Sequence, residues 1–231
     1  MIEKVFEFGK DSRSWHWYYC KRVLQEWTTE GKKFLDLGCG SIESHLEEYD
    51  RKATCIGVDI DPNLRKHPLH LKIRADGQNL PFKDGTFDAI ISIWVIEHIS
   101  NPEQFLHEVG RCLRSGGSFL LMTNNLCNPA ALYAKLIPHS WHRHMKRLFL
   151  RNGEAEENSP TFYRANTPRV LAQYLELGGF SHCKFIYFSM MHKYFRGIPM
   201  VSRLILWASN LVTDNRFFRF LKMGVIVIAT K

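Results

Sequence analysis

Short apolar runs alternate with helical patterns along the first half of the chain, and two further apolar runs close it. The runs lack the strict polar–apolar alternation of a half-exposed sheet, and continuous apolar runs are typical of strands buried on both faces of a parallel sheet. The predicted strands span 33–37, 53–58, 71–75, 87–93, 117–123, 183–189 and 223–229.

Two helices between these strands have clear start and stop signals. Each begins with proline behind a side chain that can cap the helix, and each is followed by a glycine pair. They are 102–114, capped by Asn101 and ended by Gly116 and Gly117, and 168–177, capped by Thr167 and ended by Gly178 and Gly179. This alternation predicts an α/β fold with a doubly wound, mostly parallel, seven-stranded sheet of Rossmann-like type.

The 231 residues fit a single domain, 1–231. An aromatic-rich segment, 12–30, predicts an N-terminal cap helix before the first strand. The interruption at 124–166 is long and partly helical, and an insertion of this length is often a lid or a substrate-binding element. The remaining part, 182–231, contains the closing strands with an intervening helix over 198–212.

The net charge of +8 is compatible with a nucleic acid, an anionic membrane surface or a phosphorylated substrate as partner, and equally with a role in solubility alone. The basic residues are not interleaved with aromatic ones as in a stacking platform, so a nucleic-acid partner is not expected. The basic pattern over 139–150 predicts an amphipathic helix. Together with the apolar helix over 198–212, it suggests peripheral membrane contact.

The cysteines and histidines indicate neither disulfides nor a metal. Six cysteines are scattered with no CxxC pair, as in a reducing cytosol. His139, His142 and His144 do not share one helical face, so no metal is predicted. The charged first residues do not resemble a signal peptide, and no uncharged apolar stretch reaches about 18 residues. We therefore expect a cytoplasmic protein.

The loop after the first strand is the strongest candidate for a ligand site, because doubly wound sheets bind ligands at the carboxyl ends of their strands. Gly38 and Gly40 let the backbone turn and approach a ligand closely. Asp59 follows Gly38 by 21 residues, the spacing at which an acid reaches ribose hydroxyls. NAD is disfavoured, because Ile42 replaces the expected small residue and Glu43 would lie near a pyrophosphate.

The motifs that follow this loop run in a recognisable order. They are LDLGCG, GVDID, ADGQNLPF, GTFDAIIS, VIEHI and LRSGGSFLLMT, within 34–123. This series resembles the class I S-adenosylmethionine-dependent methyltransferases, in the type 11 subgroup. The C-terminal half is similar only in general pattern. The motifs are specific for the family and carry little information about the methyl acceptor.

The resemblance implies S-adenosylmethionine as cofactor and S-adenosylhomocysteine as product. The glycine loop would surround the methionine part, Asp59 would bind both ribose hydroxyls, and the residues around Ile60 and Asp76 would bind adenine. The end of strand four would face the amino and sulfonium groups. The implied cofactor-binding residues are Asp36, Leu37, Gly38, Cys39, Gly40, Asp59, Ile60, Asp76, Gly77 and Ile93.

Methyl transfer from a sulfonium needs a general base only when the acceptor is a weak nucleophile such as a hydroxyl. His98 is the candidate catalytic residue, because it follows the strand that would end near the methyl group. His16, Tyr18, Tyr19 and Tyr163 are further candidates.

We predict methyl transfer to a small-molecule acceptor or to one linked to a lipid or glycan. Two alternatives remain open. One is an RNA methyltransferase, suggested by the positive charge. The other is a non-catalytic cofactor-binding protein that serves interaction, which the three acids Asp36, Asp59 and Asp76 disfavour.

Overall fold

A computed structural model describes seven strands and three α-helices in the chain, within residues 15–40, 52–66, 69–128, 160–188, 218 and 221–231. The strands are β1 (Lys33–Leu37), β2 (Thr54–Asp59), β3 (Leu71–Arg74), β4 (Phe87–Ile93), β5 (Leu113–Asn124), β6 (His182–Phe188) and β7 (Gly224–Thr230). The helices are α1 (Trp15–Trp27), α2 (Pro102–Cys112) and α3 (Pro168–Leu177).

All seven strands belong to one sheet with the order β3-β2-β1-β4-β5-β7-β6. The first five strands pair in parallel, and β7 pairs antiparallel with both β5 and β6. The predicted mostly parallel sheet is therefore confirmed. The strand order reverses between β1 and β4, and this switch point is where a doubly wound sheet opens a crevice for a ligand.

Helices cover both faces of the sheet, as a doubly wound fold requires. On one face, α2 and α3 bury Phe105, Leu106 and Leu171 against the strands. On the other face, α1 buries Val23 and Leu24. Both caps predicted from the sequence form: Asn101 accepts from the amide of Gln104, and Thr167 accepts from the amide of Val170.

The structure corrects the boundary between α2 and β5. The sequence placed the helix end at 114 and the strand start at 117, whereas α2 ends at Cys112 and β5 begins at Leu113. The cause is pairing across the sheet, because Leu113 aligns with Phe87 before the register shifts to Ser118 opposite Ala89. The glycine pair therefore lies inside the strand and does not end the helix.

Several predicted features lie partly or wholly outside the described residues. Of the insertion at 124–166, the structure describes the two ends, 124–128 and 160–166. The predicted helices over 139–150 and 198–212 lie outside the described part.

None of the helices that are described has the length and apolar character needed to cross a bilayer. The described His, Cys, Asp and Glu side chains form no group of three or more that could hold a metal ion.

A partly buried ion pair holds the loop between β3 and β4. The guanidinium of Arg111 donates to both carboxylate oxygens of Glu108, at 2.8 and 2.9 Å. It also donates to the carbonyls of Phe82 and Leu80, at 2.7 and 3.0 Å. Glu108 in turn accepts from the amide of Leu80 at 2.8 Å. The pair therefore ties α2 to the loop through several charge-assisted hydrogen bonds.

We expect this pair to make stability depend on acid. The hydrogen bond from Arg111 lowers the pKa of Glu108 below its ordinary value of 4.5, against the effect of burial. The contribution of ionised Glu108 to the free energy of unfolding is therefore fully present above pH 4.5. It is lost as the pH falls through the lower pKa that Glu108 has in the folded protein. Glu108→Gln should reduce the free energy of unfolding at pH 7 by about 1.5–3 kcal/mol. That difference from wild type should shrink in acid.

Urea unfolding between pH 7 and pH 3 measures this difference. Glu103→Gln is the matched control, because Glu103 lies on the same helix with its side chain exposed. An unfolding difference for Glu108→Gln that stays constant across the pH range would contradict the expectation.

Candidate functional site

The loop after β1 turns at two glycines with left-handed backbone. The φ angles of Gly38 and Gly40 are 81° and 72°, which glycine adopts without the strain of other residues. The amide of Gly38 donates to the carbonyl of Val58 at 2.7 Å. A Cβ atom on Gly38 would overlap the side chain of Val95, whereas one on Gly40 would meet none of the described atoms within 4 Å. Gly38 thus permits close packing, and the described residues leave space for a ligand beside Gly40.

Asp59 connects the end of β2 to this loop. One carboxylate oxygen accepts from the amide of Gly40 at 2.7 Å, and the other accepts from the amide of Asp61 at 2.9 Å. An ionised carboxylate offers about four acceptor positions. The side chain can therefore hold the loop and still accept hydrogen bonds from a ligand's hydroxyl groups.

Acidic groups and a buried thiol lie beneath the same loop. Asp36 is completely buried in β1, opposite Gly57 of β2. Burial raises the pKa of the Cys39 thiol, and the negative charges of Asp36 and Asp59 raise it further. The thiol therefore stays protonated and is not a nucleophile. The negative potential at this loop suits a ligand that carries positive charge.

The end of β4 approaches the glycine loop from the other side of the switch point. Ser92 is buried, and its hydroxyl has no hydrogen-bond partner among the described residues. Ile93 is buried beside it, and Trp94 has a left-handed φ of 59°. A buried hydroxyl without a partner costs free energy, so its presence here fits a site that a polar ligand completes.

The residues predicted to bind adenine lie at the ends of β2 and β3. Ile60 is 64% exposed, so its side chain is available to pack on a ligand ring. Asp76 accepts from the amide of Gln78 at 2.9 Å. A Cβ atom on Gly77 would lie 2.7 Å from the ring of Phe105, so only glycine fits there without displacement.

The candidate base His98 lies at the end of a short 3-10 turn, Ile96–His98, after β4. Its Nδ1 atom lies 3.0 Å from the carbonyl oxygen of Pro160. A carbonyl can only accept, so Nδ1 carries the hydrogen and Nε2 of the neutral ring has a free lone pair. This is the arrangement a general base requires.

The other candidate bases are placed differently. His16 is buried and stacks on Phe188, with ring centroids 4.8 Å apart. Tyr18 is 61% exposed, and the amine of Lys184 lies over the ring of Tyr19 at 5.9 Å. His16 and Tyr19 thus make packing contacts around α1, and their role as bases is untested.

The sequence did not reveal a buried polar network around Glu97. Its carboxylate accepts from the hydroxyl of Thr123 at 2.9 Å and from the side-chain amide of Asn124 at 3.3 Å. The side chain of Asn166 donates to Thr123 at 2.7 Å, and the backbone amide of Tyr163 donates to the carbonyl of Glu97 at 3.2 Å. Burial raises the pKa of Glu97. The network joins the β4 exit, β5 and the segment before α3, and no local motif signals such distant partners.

The donor set fits S-adenosylmethionine. This molecule carries an ammonium and a sulfonium but no phosphate, so acidic side chains, carbonyl groups and a hydroxyl suit it better than a lysine would. A switch point with this loop and these acids matches the fold of the class I S-adenosylmethionine-dependent methyltransferases.

Comparison with known sequences identifies the domain more closely. Residues 35–121 match the family described as methyltransferase domain, of type 11. The fatty-acid O-methyltransferase of Mycolicibacterium smegmatis is 37% identical over 100 residues, 39% of this chain and 36% of that protein. The demethylmenaquinone methyltransferase of Tropheryma whipplei is 30% identical over 124 residues, 51% of this chain and 50% of that protein. The matches cover half or less of these relatives' length.

Solved structures share the fold. A SAM-dependent methyltransferase from Archaeoglobus fulgidus superposes with a TM-score of 0.57 and 19% identity, covering 96% of each chain. Phosphoethanolamine N-methyltransferase 2 of Haemonchus contortus, in complex with S-adenosylmethionine, has a TM-score of 0.57 and 14% identity, covering 93% of this chain and 52% of that one. Residues 35–121 therefore match a methyltransferase domain of type 11, and the predicted fold class is confirmed. S-adenosylmethionine as the cofactor of this chain remains a prediction. The individual cofactor contacts remain predictions.

Proposed function

We propose that the protein transfers the methyl group of S-adenosylmethionine to a small-molecule acceptor and releases S-adenosylhomocysteine. The observation that carries this proposal is the hydrogen bond between Asp59 and the amide of Gly40 at the switch point of the sheet. It brings the acid that would bind ribose directly against the glycine loop, and Asp36 is buried beneath that loop.

The described residues have distinct parts in this reaction. The carboxylate of Asp59 accepts hydrogen bonds from the ribose hydroxyls of the cofactor. The glycine loop surrounds the methionine part of the cofactor, above Asp36. Ile60 and Gly77 hold the adenine, with Asp76 accepting from its amino group. When bound, the cofactor supplies a methyl group that the sulfonium already activates. The protein therefore acts chiefly by orienting the reactants and excluding water.

His98 is the proton acceptor in this proposal. Its Nδ1 atom is engaged by the carbonyl of Pro160, so Nε2 can take the proton of an acceptor hydroxyl as the methyl group is transferred. An acceptor that is already a good nucleophile would not need this step.

The relatives support an acceptor with an apolar part. One relative is named for a fatty acid and another for demethylmenaquinone. We therefore propose a small or lipid-linked acceptor. Peripheral membrane contact through the basic and apolar helices predicted from the sequence belongs to the same proposal.

Transfer of labelled methyl from S-adenosylmethionine tests the proposal. The purified protein would be offered palmitate, a demethylated naphthohydroquinone, phosphoethanolamine and tRNA in parallel. We expect label in an organic-extractable or small-molecule product. Label found only in tRNA would instead support an RNA methyltransferase. Cofactor binding with no labelled product, either from this panel or from a cell extract, would support a non-catalytic binding protein.

A further inference from the structure

The chain leaves β4 through a strained residue. Trp94 has a φ of 59°, and of the described residues other than glycine only Tyr163 shares this left-handed backbone. Such a conformation is costly for a bulky side chain, whereas glycine adopts it freely. The turn leads into a close contact, since the next residue, Val95, packs directly on Gly38 of the cofactor loop. A glycine at this position would make the same turn with less strain.

The side chain of Trp94 is held by an aromatic cluster. Its ring meets the ring of Phe188 edge to face, with centroids 6.2 Å apart and planes at 69°. Phe188 stacks on His16 with an interplanar angle of 7°. Both of these side chains are buried, at 4% and 3% exposure, whereas Trp94 is only half-buried. The cluster joins α1, β4 and β6, and part of the indole stays accessible.

We propose that Trp94 is a specificity-determining residue whose accessible indole forms a wall of the acceptor site and selects acceptors with a flat, conjugated ring. This rests on the proposed function. Trp94 follows β4 and its partner Phe188 ends β6, so both lie at the carboxyl edge of the sheet, where the cofactor loop also lies and where an acceptor must come. Aromatic faces pair preferentially with other aromatic rings, beyond what burial of apolar area provides. A glycine at position 94 has no ring, so it could not provide this recognition of an aromatic acceptor.

Three substitutions distinguish a role of the Trp94 indole in acceptor recognition from a role in packing alone. Trp94→Ala removes the indole and keeps the unfavourable backbone, Trp94→Gly removes both, and Trp94→Phe keeps an aromatic ring. If the backbone is strained, the glycine variant should melt about 2–8 °C above the alanine variant. A purely structural role would give both variants the same ligand preference as wild type, provided that they fold.

Calorimetry with 2-naphthoate and decahydro-2-naphthoate, at saturating S-adenosylhomocysteine, tests the selection. The two probes share a skeleton and a charge, and only the first is flat and conjugated. We expect wild type to bind the flat probe about three- to tenfold more tightly than the saturated one. The preference should disappear in Trp94→Gly and Trp94→Ala and persist in Trp94→Phe. Affinity for S-adenosylhomocysteine should stay unchanged in all three variants.

Tyr18→Ala is the control, since it removes an exposed aromatic ring from α1. It should leave the preference intact. A wild type that binds S-adenosylhomocysteine but does not prefer the flat probe overturns the Trp94 proposal alone. So does a preference that survives in Trp94→Gly. A wild type that does not bind S-adenosylhomocysteine rejects the proposed function, and this inference with it.

Discussion

His98→Asn is expected to lower kcat for a hydroxyl acceptor by about 100- to 10,000-fold, the range that positioned general bases contribute. The side-chain amide of asparagine can still donate to the carbonyl of Pro160, which in the wild type lies 3.0 Å from Nδ1. The substitution therefore keeps the structural contact and removes the lone pair of Nε2. Affinity for S-adenosylmethionine should not change, because His98 is assigned to the acceptor side.

Single-turnover rates with the acceptor identified by the labelling panel provide the measurement. His107→Asn is the control, because His107 is exposed on α2, away from the proposed base. A His98→Asn enzyme that methylates a hydroxyl acceptor at the wild-type rate would remove His98 from the mechanism. It would leave the cofactor site untouched.

Asp59→Ala is expected to weaken binding of S-adenosylmethionine by about 10- to 100-fold, or about 1.5–3 kcal/mol, the cost of losing hydrogen bonds to an ionised group. Two effects add. The ribose hydroxyls lose their acceptor, and the amides of Gly40 and Asp61 lose the carboxylate that they contact at 2.7 and 2.9 Å. The variant thus loses the hydrogen bond that holds the glycine loop as well as a contact to the ligand.

Calorimetric titration with S-adenosylmethionine measures this loss, and thermal unfolding shows whether the variant stays folded. Glu176→Ala removes an exposed carboxylate from α3 and should bind the cofactor as wild type does. An unchanged affinity in folded Asp59→Ala would show that the ribose is bound elsewhere.

The parts of the fold that depend on local pattern could be predicted closely. β1 and β4 have the predicted bounds of 33–37 and 87–93, because each is a continuous apolar run set by its own residues. α3 likewise begins and ends where its cap and glycines indicate. The glycine loop could be predicted because its two glycines and the following acid have a spacing in the sequence that is typical of sites for ribose-containing ligands.

The parts that depend on distant contacts could not be predicted. The start of β5 is set by pairing with β4, which overrides the glycine signal in the segment itself. Glu97 meets Thr123 across 26 residues, and Thr123 meets Asn166 across 43. The left-handed turn at Trp94 is also hidden, because no residue preference suggests it.

The hydrogen bond between Asp59 and Gly40 also has a consequence for competition between the reaction product and the cofactor. Two hydrogen bonds within the protein, this one and the one from the amide of Gly38 to the carbonyl of Val58, hold the shape of the loop. Such a preorganised loop loses little conformational entropy on binding. The ribose and methionine parts that it would hold are common to S-adenosylmethionine and S-adenosylhomocysteine. The loop therefore offers little discrimination between them, and accumulated product would compete with fresh cofactor unless a following reaction removes it.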